Sequence, residues 1–264
     1  MCYYNGVKIK FNDFIRLKEL EHQFPHEDIS IFVQSGFDYA NWPVIKPTIN
    51  CDWEIVNMEW GFIPFYLKDR DAVKKFREGY KDEMGKFRPP ITTLNAVGEE
   101  LLKANKMFRE SALHRRCLVL SSGFYEWRHV PQVGKSGKVL KTTLKYPYFI
   151  KPSFGKFFFM AGVWQPWTDK ETGEMIETFA IVTTSANKMM EQIHNSKKRM
   201  PLILPEKEAG EWISDGLSEA EISRLANFKI SADAMHAHTV YKDFRERENP
   251  MEEINIDGLP ALIL

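Results

Sequence analysis

The chain has little cysteine, no net charge and no long apolar run, and each shortage removes a class of protein. Its three cysteines, Cys2, Cys51 and Cys117, are odd in number and far apart. Neither a disulfide framework nor a CxxC-type zinc site is therefore indicated, and no metal or cofactor is expected. Lys and Arg balance Asp and Glu at 36 each, so no global basic field points to nucleic acid. A local basic groove balanced by acid elsewhere is still compatible with that total. The most apolar stretch, FFFMAGVW at 157–164, is far too short to span a bilayer. KIKFNDF follows the first residues where a signal peptide would carry an apolar core, which also argues against a lipid-modified cysteine. A reduced, cytoplasmic protein without membrane attachment is expected.

What is there reads as one domain over residues 1–264. The apolar fraction is that of an ordinary globular chain, and no repeat or low-complexity linker divides it. Residues 11–23 carry apolar side chains at helical spacing behind a possible Asn12 cap, which predicts a helix. Residues 95–108 (NAVGEELLKANKMF) predict another, with Asn95 as cap and acids in the first turn. Residues 35–47 read as loop and short strand, and the charged stretch 68–87 as a solvated loop with helical turns. Strands are predicted at 52–60, 116–127, 146–151, 156–164 and 177–186, with a Gly/Lys hairpin tip at 130–143. The last of these strands runs into a helix at SANKMMEQIH, and two short surface helices close the chain. Strands outnumber helices without alternating with them. The expected class is α+β, with a curved, mainly antiparallel, barrel-like sheet and peripheral helices.

Four stretches place chemically capable side chains at element boundaries. Cys2 stands directly behind Met1, and processing enzymes cut Met before small residues. Cys2 can thus become residue one, with an amine and a thiol on adjacent carbons. TTLNAVGEE carries Asn95, SSGFYEWR carries Glu126 between Tyr125 and Trp127, and IHNSKKRMPLIL carries His194 and Arg199. Each also has an ordinary structural reading: a first strand residue, a helix cap, a surface carboxylate, a dipole-favoured histidine. Together Cys, His, Asn and Glu also make a thiol-hydrolase set.

The MC start, WGFIP (60–64), LNAVGEE (94–100), RCLVLSSGFYEW (116–127) and H…RMPLIL (194–204) resemble, in order, the signature blocks of the SOS response-associated peptidase or abasic-site-processing family. The resemblance spans nearly the whole chain. It implies a β-rich α+β fold with a positively charged groove for single-stranded DNA and a role in the DNA damage response near the nucleoid. It also implies covalent capture of abasic sites by the N-terminal cysteine as a thiazolidine crosslink, with lyase and autopeptidase activity as further possibilities. Carried over by position, Cys2 is the nucleophile, Asn95 the residue that orients it, Glu126 the acid/base and His194 its partner. Arg199 is a DNA-backbone contact and Trp127 part of the site wall. Lys197, Lys198, Arg115 and Arg116 are further candidates for phosphate contact, and Tyr66 for an exposed stacking group. Trp60 reads as core. A monomer is expected.

The chemistry supports a cysteine at that position. An α-amine with a reference pKa of about 7.8 is roughly a tenth neutral at pH 7, far more than lysine. Its Schiff base with C1′ of the ring-opened sugar can be closed by the neighbouring thiol. A carboxyl flanked by aromatic groups, as Glu126 is, has its pKa raised by desolvation and can shuttle the protons. The chain departs from the family where MCYY replaces MCGR, where Val97 replaces an arginine, in a shortened aromatic wedge at Phe65-Tyr66-Leu67, and where NSKK separates His194 from Arg199. These changes bear on how DNA is gripped and leave the Cys2 chemistry intact. Two other readings stay open: a thiol peptidase, acting at least on its own Met1, and a non-covalent single-strand or modified-base reader in which Cys2 is structural.

Overall fold

The computed structural model describes residues 2–10, 13–17, 20–23, 28–49, 52–134 and 136–263. Met1, Asn12 and Cys51, which entered the expectations above, lie outside them.

Five strands close a ring. Asn41–Pro47 pairs with Trp53–Trp60 and with Arg116–Ser121. Arg116–Ser121 pairs with Phe158–Thr168, which pairs with Met175–Ser185, and Met175–Ser185 returns to Trp53–Trp60. Every pairing but the last is antiparallel. The inside is filled by Trp42, Val44, Met58, Val119, Met160, Phe179 and Ile181, which share one face by register and are all buried. This is the closed, mainly antiparallel α+β architecture expected from the strand-rich pattern.

A second sheet runs in the order Met235–Thr239, Val139–Pro152, Gly123–Val133, Tyr4–Ile9, Ile29–Ser35. The two sheets share one length of chain. Arg116–Ser121 belongs to the barrel, Ser122 interrupts, and Gly123–Val133 continues in the second sheet. Gly123 makes the junction possible, because a Cβ there would meet the Phe149 ring at 2.1 Å. The predicted 116–127 strand is thus two strands with a break. The predicted hairpin tip at 130–143 is mostly strand, because Gly123–Val133 and Val139–Pro152 run far out along each other.

Two helix expectations are corrected. In place of a helix over 11–23, Phe14–Leu17 and Leu20–Gln23 form an antiparallel hairpin. Ile15 and Leu17 are buried while Phe14 and Arg16 face out, a period of two that serves a strand. In place of a helix over 95–108, Asn95–Val97 is a short strand parallel to Met175–Ser185, followed by a 3-10 turn at Gly98–Glu100. The α-helix begins only at Arg109 and ends at His114. Asn105 takes a left-handed φ of 62°, which interrupts the helical spacing. Gly98 packs so closely that a Cβ would lie 2.5 Å from the Ala226 carbonyl oxygen. Pairing with a central barrel strand outweighs the local helix pattern.

The charged 68–87 stretch contains a true helix, Arg70–Glu78, capped by the Asp69 side chain on the Ala72 N–H. Residues 35–47 form a 3-10 turn and the Asn41–Pro47 strand. The later helices Lys188–Ile193, Glu206–Trp212 and Glu219–Ala226 lie where expected. Among the described residues no helix is long and apolar enough to cross a membrane.

Candidate active site

The N-terminal strand brings Cys2 to the site. Tyr4 is paired on one side with Tyr125 and on the other with Ser35, and the Gly36 N–H donates to the Tyr3 carbonyl at 2.8 Å. Cys2 is therefore held two residues ahead of a strand wedged between two others, next to the strand that carries Glu126. The unusual Tyr3-Tyr4 pair is absorbed by aromatic packing. Tyr3 meets Phe37 at 4.9 Å between ring centroids, and Tyr4 sets its edge on Trp127 at 5.2 Å, with the Arg245 guanidinium over its ring. Cys2 itself is fully buried. Burial pushes its thiol well above the ordinary range, and the Glu126 carboxylate pushes it further.

Asn95 reaches Cys2 from the barrel. As a strand residue paired with Ile181, it is not the helix cap expected from sequence. Its Nδ2 donates to the Cys2 carbonyl oxygen at 2.9 Å. The buried Oδ1 has no hydrogen-bond partner among the described residues. The WGFIP block fixes this element, because the Trp60 indole N–H donates to the Leu94 carbonyl at 3.0 Å. Trp60 is core, as its pattern indicated.

Glu126 and His194 face each other. Glu126 is buried on the Gly123–Val133 strand, and desolvation raises its carboxyl to about 7. His194 caps the Lys188–Ile193 helix. Its Nε2 lies 3.8 Å from Glu126 Oε2, just outside direct hydrogen-bond reach. Its Nδ1 lies 2.7 Å from the Arg199 carbonyl oxygen. A carbonyl only accepts, so Nδ1 carries the proton and the Nε2 lone pair is turned to Glu126. Desolvation also lowers His194 to about 4, so near pH 7 the imidazole is neutral. A carboxyl that keeps its proton up to about pH 7 thus faces a neutral nitrogen that acts as an acceptor rather than as a base. The NSKK insertion does not separate His194 from Arg199 in space. Lys198 turns back with φ 52°, and its N–H donates to the His194 carbonyl.

The sequence-derived phosphate contacts fare differently. Lys197 lines a hollow of about 440 Å³ together with Tyr3, Glu126, Trp127 and His194, and Lys198 is exposed beside it. Tyr66 is exposed and lines a second hollow, of about 550 Å³, with Asn95, Phe65 and Phe108. Arg199 gives both guanidinium nitrogens to Glu99 at 2.7 Å and also donates to the Thr183 carbonyl at 2.6 Å. Arg115 is half-buried and donates to Ser111 Oγ at 3.3 Å.

Arg116 has to be corrected. It is buried, and it donates to the carbonyls of Trp212, Ala112, Leu113 and Ser214 at 2.6–2.8 Å. It ties two helices together and has no surface with which to meet phosphate. An arginine at a strand start reads as exposed only until the later helix folds over it.

Sequence reasoning missed four groups here. Glu99 holds Arg199. His129 and Lys145 line the Glu126 hollow. Asn195 grips the His129 backbone on both sides, accepting from its N–H at 3.1 Å and donating to its carbonyl at 2.8 Å. Asn195, beside His194, and Glu99, within the LNAVGEE block, carried a local signal. Among the described residues no group of three or more His, Cys, Asp or Glu side chains is arranged to hold a metal ion.

Comparison with known proteins identifies the family. A solved structure from Bacteroides thetaiotaomicron superposes with a TM-score of 0.69 at 29% identity, covering 95% of this chain and 97% of that one. The abasic site processing protein YoqW of Bacillus subtilis is 28% identical over 75% of this chain and 74% of its own. YoaM of the same organism, also an abasic site processing protein, is 25% identical over 96% and 97%. The family model for SRAP, the SOS response associated peptidase, matches residues 20–246. The chain belongs to the SRAP family.

Proposed function

We propose that this protein processes abasic sites in single-stranded DNA by capturing them covalently through Cys2. The observation that carries the reading is the convergence of Cys2, Asn95, Glu126 and His194 from four separate parts of the chain onto one buried point between two surface hollows.

Capture begins once the peptide bond ahead of Cys2 is cut. The freed Cys2 nitrogen adds to the C1′ aldehyde of the ring-opened sugar, giving a carbinolamine. Loss of one water gives the imine. The Cys2 sulfur then adds to C1′ while its proton passes to the nitrogen, closing a five-membered thiazolidine. Aldehyde and aminothiol are joined with release of a single water, and no external oxidant or reductant is needed.

The site supplies the proton transfers. Glu126, protonated up to about pH 7, gives its proton first to the sugar ring oxygen and then to the departing hydroxyl. The Glu126 carboxylate recovers its proton from the C1′ hydroxyl as the aldehyde forms and from the nitrogen as the imine forms, while His194, neutral with its Nε2 lone pair turned inward, orients these protons as an acceptor. Asn95 holds the Cys2 carbonyl, and its unclaimed Oδ1 is the acceptor available to an N–H of the freed amine. The high thiol pKa favours the neutral SH form, so the amine is the first nucleophile and the sulfur follows. The abasic sugar enters the hollow with Glu126 and Lys197, and flanking nucleotides stack at Tyr66.

The test is incubation with single-stranded DNA carrying one abasic site, followed by a denaturing gel, with intact mass reporting whether Met1 has gone. A shifted band, absent with intact DNA and lost in Cys2→Ala, is expected. Peptide hydrolysis without that band would replace this reading with a thiol peptidase.

A further inference from the structure

We propose that the hairpin of Gly123–Val133 and Val139–Pro152 is a nucleic-acid arm. It would carry the strand flanking the captured nucleotide outward from the Glu126 hollow along its lysine-bearing face. The proposal rests on the reading above, because the occupant is identified from the pocket to which the arm is joined.

The first observation is charge segregation. The chain as a whole is neutral, with 36 basic and 36 acidic residues. Yet between Glu126 and Asp169 there is no Asp or Glu, while Arg128, Lys135, Lys138, Lys141, Lys145, Lys151 and Lys156 all fall there. An acid-free segment in a balanced chain creates a local positive field without changing the total. Within it, every residue from Ser136 to Lys145 is exposed. None of Lys138, Lys141 and Lys145 forms an ion pair among the described residues.

The second observation is facing. In the hairpin register His129 lies opposite Lys145 and Pro131 opposite Thr143. Side chains two apart on a strand share a face, so Thr143 and Lys145 share one with His129 and Pro131, and the exposed Lys141 and Lys138 follow toward the tip, past the register shift between Pro131 and Val133. His129 and Lys145 are also the members that line the hollow containing Glu126 and His194. The basic face is therefore a continuation of the pocket wall. From the His129–Lys145 pair to the Val133–Val139 pair it extends roughly 13 Å, four residues of the unbulged strand at the ordinary rise.

The third observation is rigidity at the root. Asn195 grips both backbone groups of His129, which ties the arm to the loop that follows His194. The distal end carries the exposed pair Val133 (65%) and Val139 (70%), directly opposite each other. They give an apolar contact for sugars or base faces beside the phosphate-binding lysines. A single strand offers both kinds of surface in alternation, whereas an acidic polypeptide would have no reason to end at the sugar-binding pocket.

The experiment measures equilibrium binding of a fluorescent 20-nucleotide single strand without any abasic site, across a series of salt concentrations. It compares wild type, K138E/K141E and the charge-matched control K170E/K207E. The arm variant is expected to bind roughly tenfold more weakly and to lose about 1.4 from the salt slope, the value for two phosphate contacts. The control is expected to follow wild type. Both altered lysines are exposed, and circular dichroism checks the fold. Equal affinity and slope in wild type and K138E/K141E would overturn the proposal. So would an equal loss in the control, or a variant that binds DNA normally but has lost binding to polyglutamate. Because the DNA lacks an abasic site, this outcome is read separately from crosslinking. A wild-type protein that forms no crosslink defeats the function proposed above and leaves the arm result standing.

Discussion

Asn95 Nδ2 lies 2.9 Å from the carbonyl oxygen of Cys2, a hydrogen bond across 93 residues of chain that joins the barrel to the N-terminal strand. It fixes where the Cys2 nitrogen and sulfur can be. Asn95→Ala leaves a buried carbonyl without its donor, a loss of about 1–3 kcal/mol. The expected result is a crosslinking rate reduced by about tenfold or more, with the thiol still titratable by a small reagent after denaturation. A rate equal to wild type would remove Asn95 from the site.

Glu126 sets two pH dependences. Its folded-state pKa of about 7 stands above the ordinary 4.5. The folded protein therefore keeps a proton that the unfolded chain gives up. Stability is greatest below pH 4.5 as far as this group is concerned and falls until pH passes 7, by on the order of 3 kcal/mol. Glu126→Gln removes that loss, so its melting temperature should exceed that of wild type at pH 8 and match it near pH 4.5. His194 works in the opposite direction, because its folded pKa of about 4 lies below 6.5. Its contribution is complete above pH 6.5 and is lost as pH falls toward 4. The crosslinking rate should be bell-shaped. It rises as the α-amine loses its proton near about 7.8 and falls as Glu126 ionises. In Glu126→Gln the alkaline fall should vanish along with most of the rate.

Arg116 separates structure from binding. Its guanidinium serves four carbonyls, those of Trp212 and Ala112 in fully buried hydrogen bonds. Arg116→Met should lower the melting temperature by several degrees, since each orphaned carbonyl costs about 1 kcal/mol or more. Single-strand DNA affinity, measured on the folded fraction, should stay at the wild-type value. A specific loss of affinity without a loss of stability would return Arg116 to the DNA surface.

How far the sequence disclosed all this differs from element to element. Trp53–Trp60 was legible by its alternation, and Phe158–Thr168 by a continuous apolar run that suits a strand buried on both faces. The Phe14–Leu17 hairpin was not, because four or five apolar residues satisfy a period of two and one of 3.6 about equally. Asn95 was legible as a residue of importance but not as a strand. The parallel partner that makes it one lies at Ile181, and local propensity contains nothing of that partner. Cys2 and Glu126 could be read from chemistry alone, since an aminothiol and a carboxyl between aromatic residues carry their reasons with them. Lys145 and Glu99 act only through positions that folding assigns. The neighbours of Lys145 give no hint of the pocket, and those of Glu99 give none of Arg199.

Glu99 offers the sharpest test of such a long-range role. It holds the Arg199 guanidinium by two bonds, and the Arg199 backbone carbonyl holds the Nδ1 proton of His194. Glu99 therefore acts on the imidazole through another residue, as a positioning group. In Glu99→Ala the Arg199 side chain keeps only its contacts with Thr183, and the position of the carbonyl rests on the pairing of Arg199 with Ser185 without the Glu99 clamp. Nitrogen-15 chemical shifts of His194 should show the single Nδ1–H tautomer in wild type and a mixture of tautomers in the variant. The crosslinking rate should fall several-fold in parallel. A role confined to stability would lower the melting temperature and leave the tautomer unchanged. A role of Glu99 in repelling DNA would raise affinity as Arg199 became available to phosphate. The structure favours the tautomer, because Arg199 remains turned toward the barrel by the Thr183 carbonyl at 2.6 Å even when Glu99 is gone.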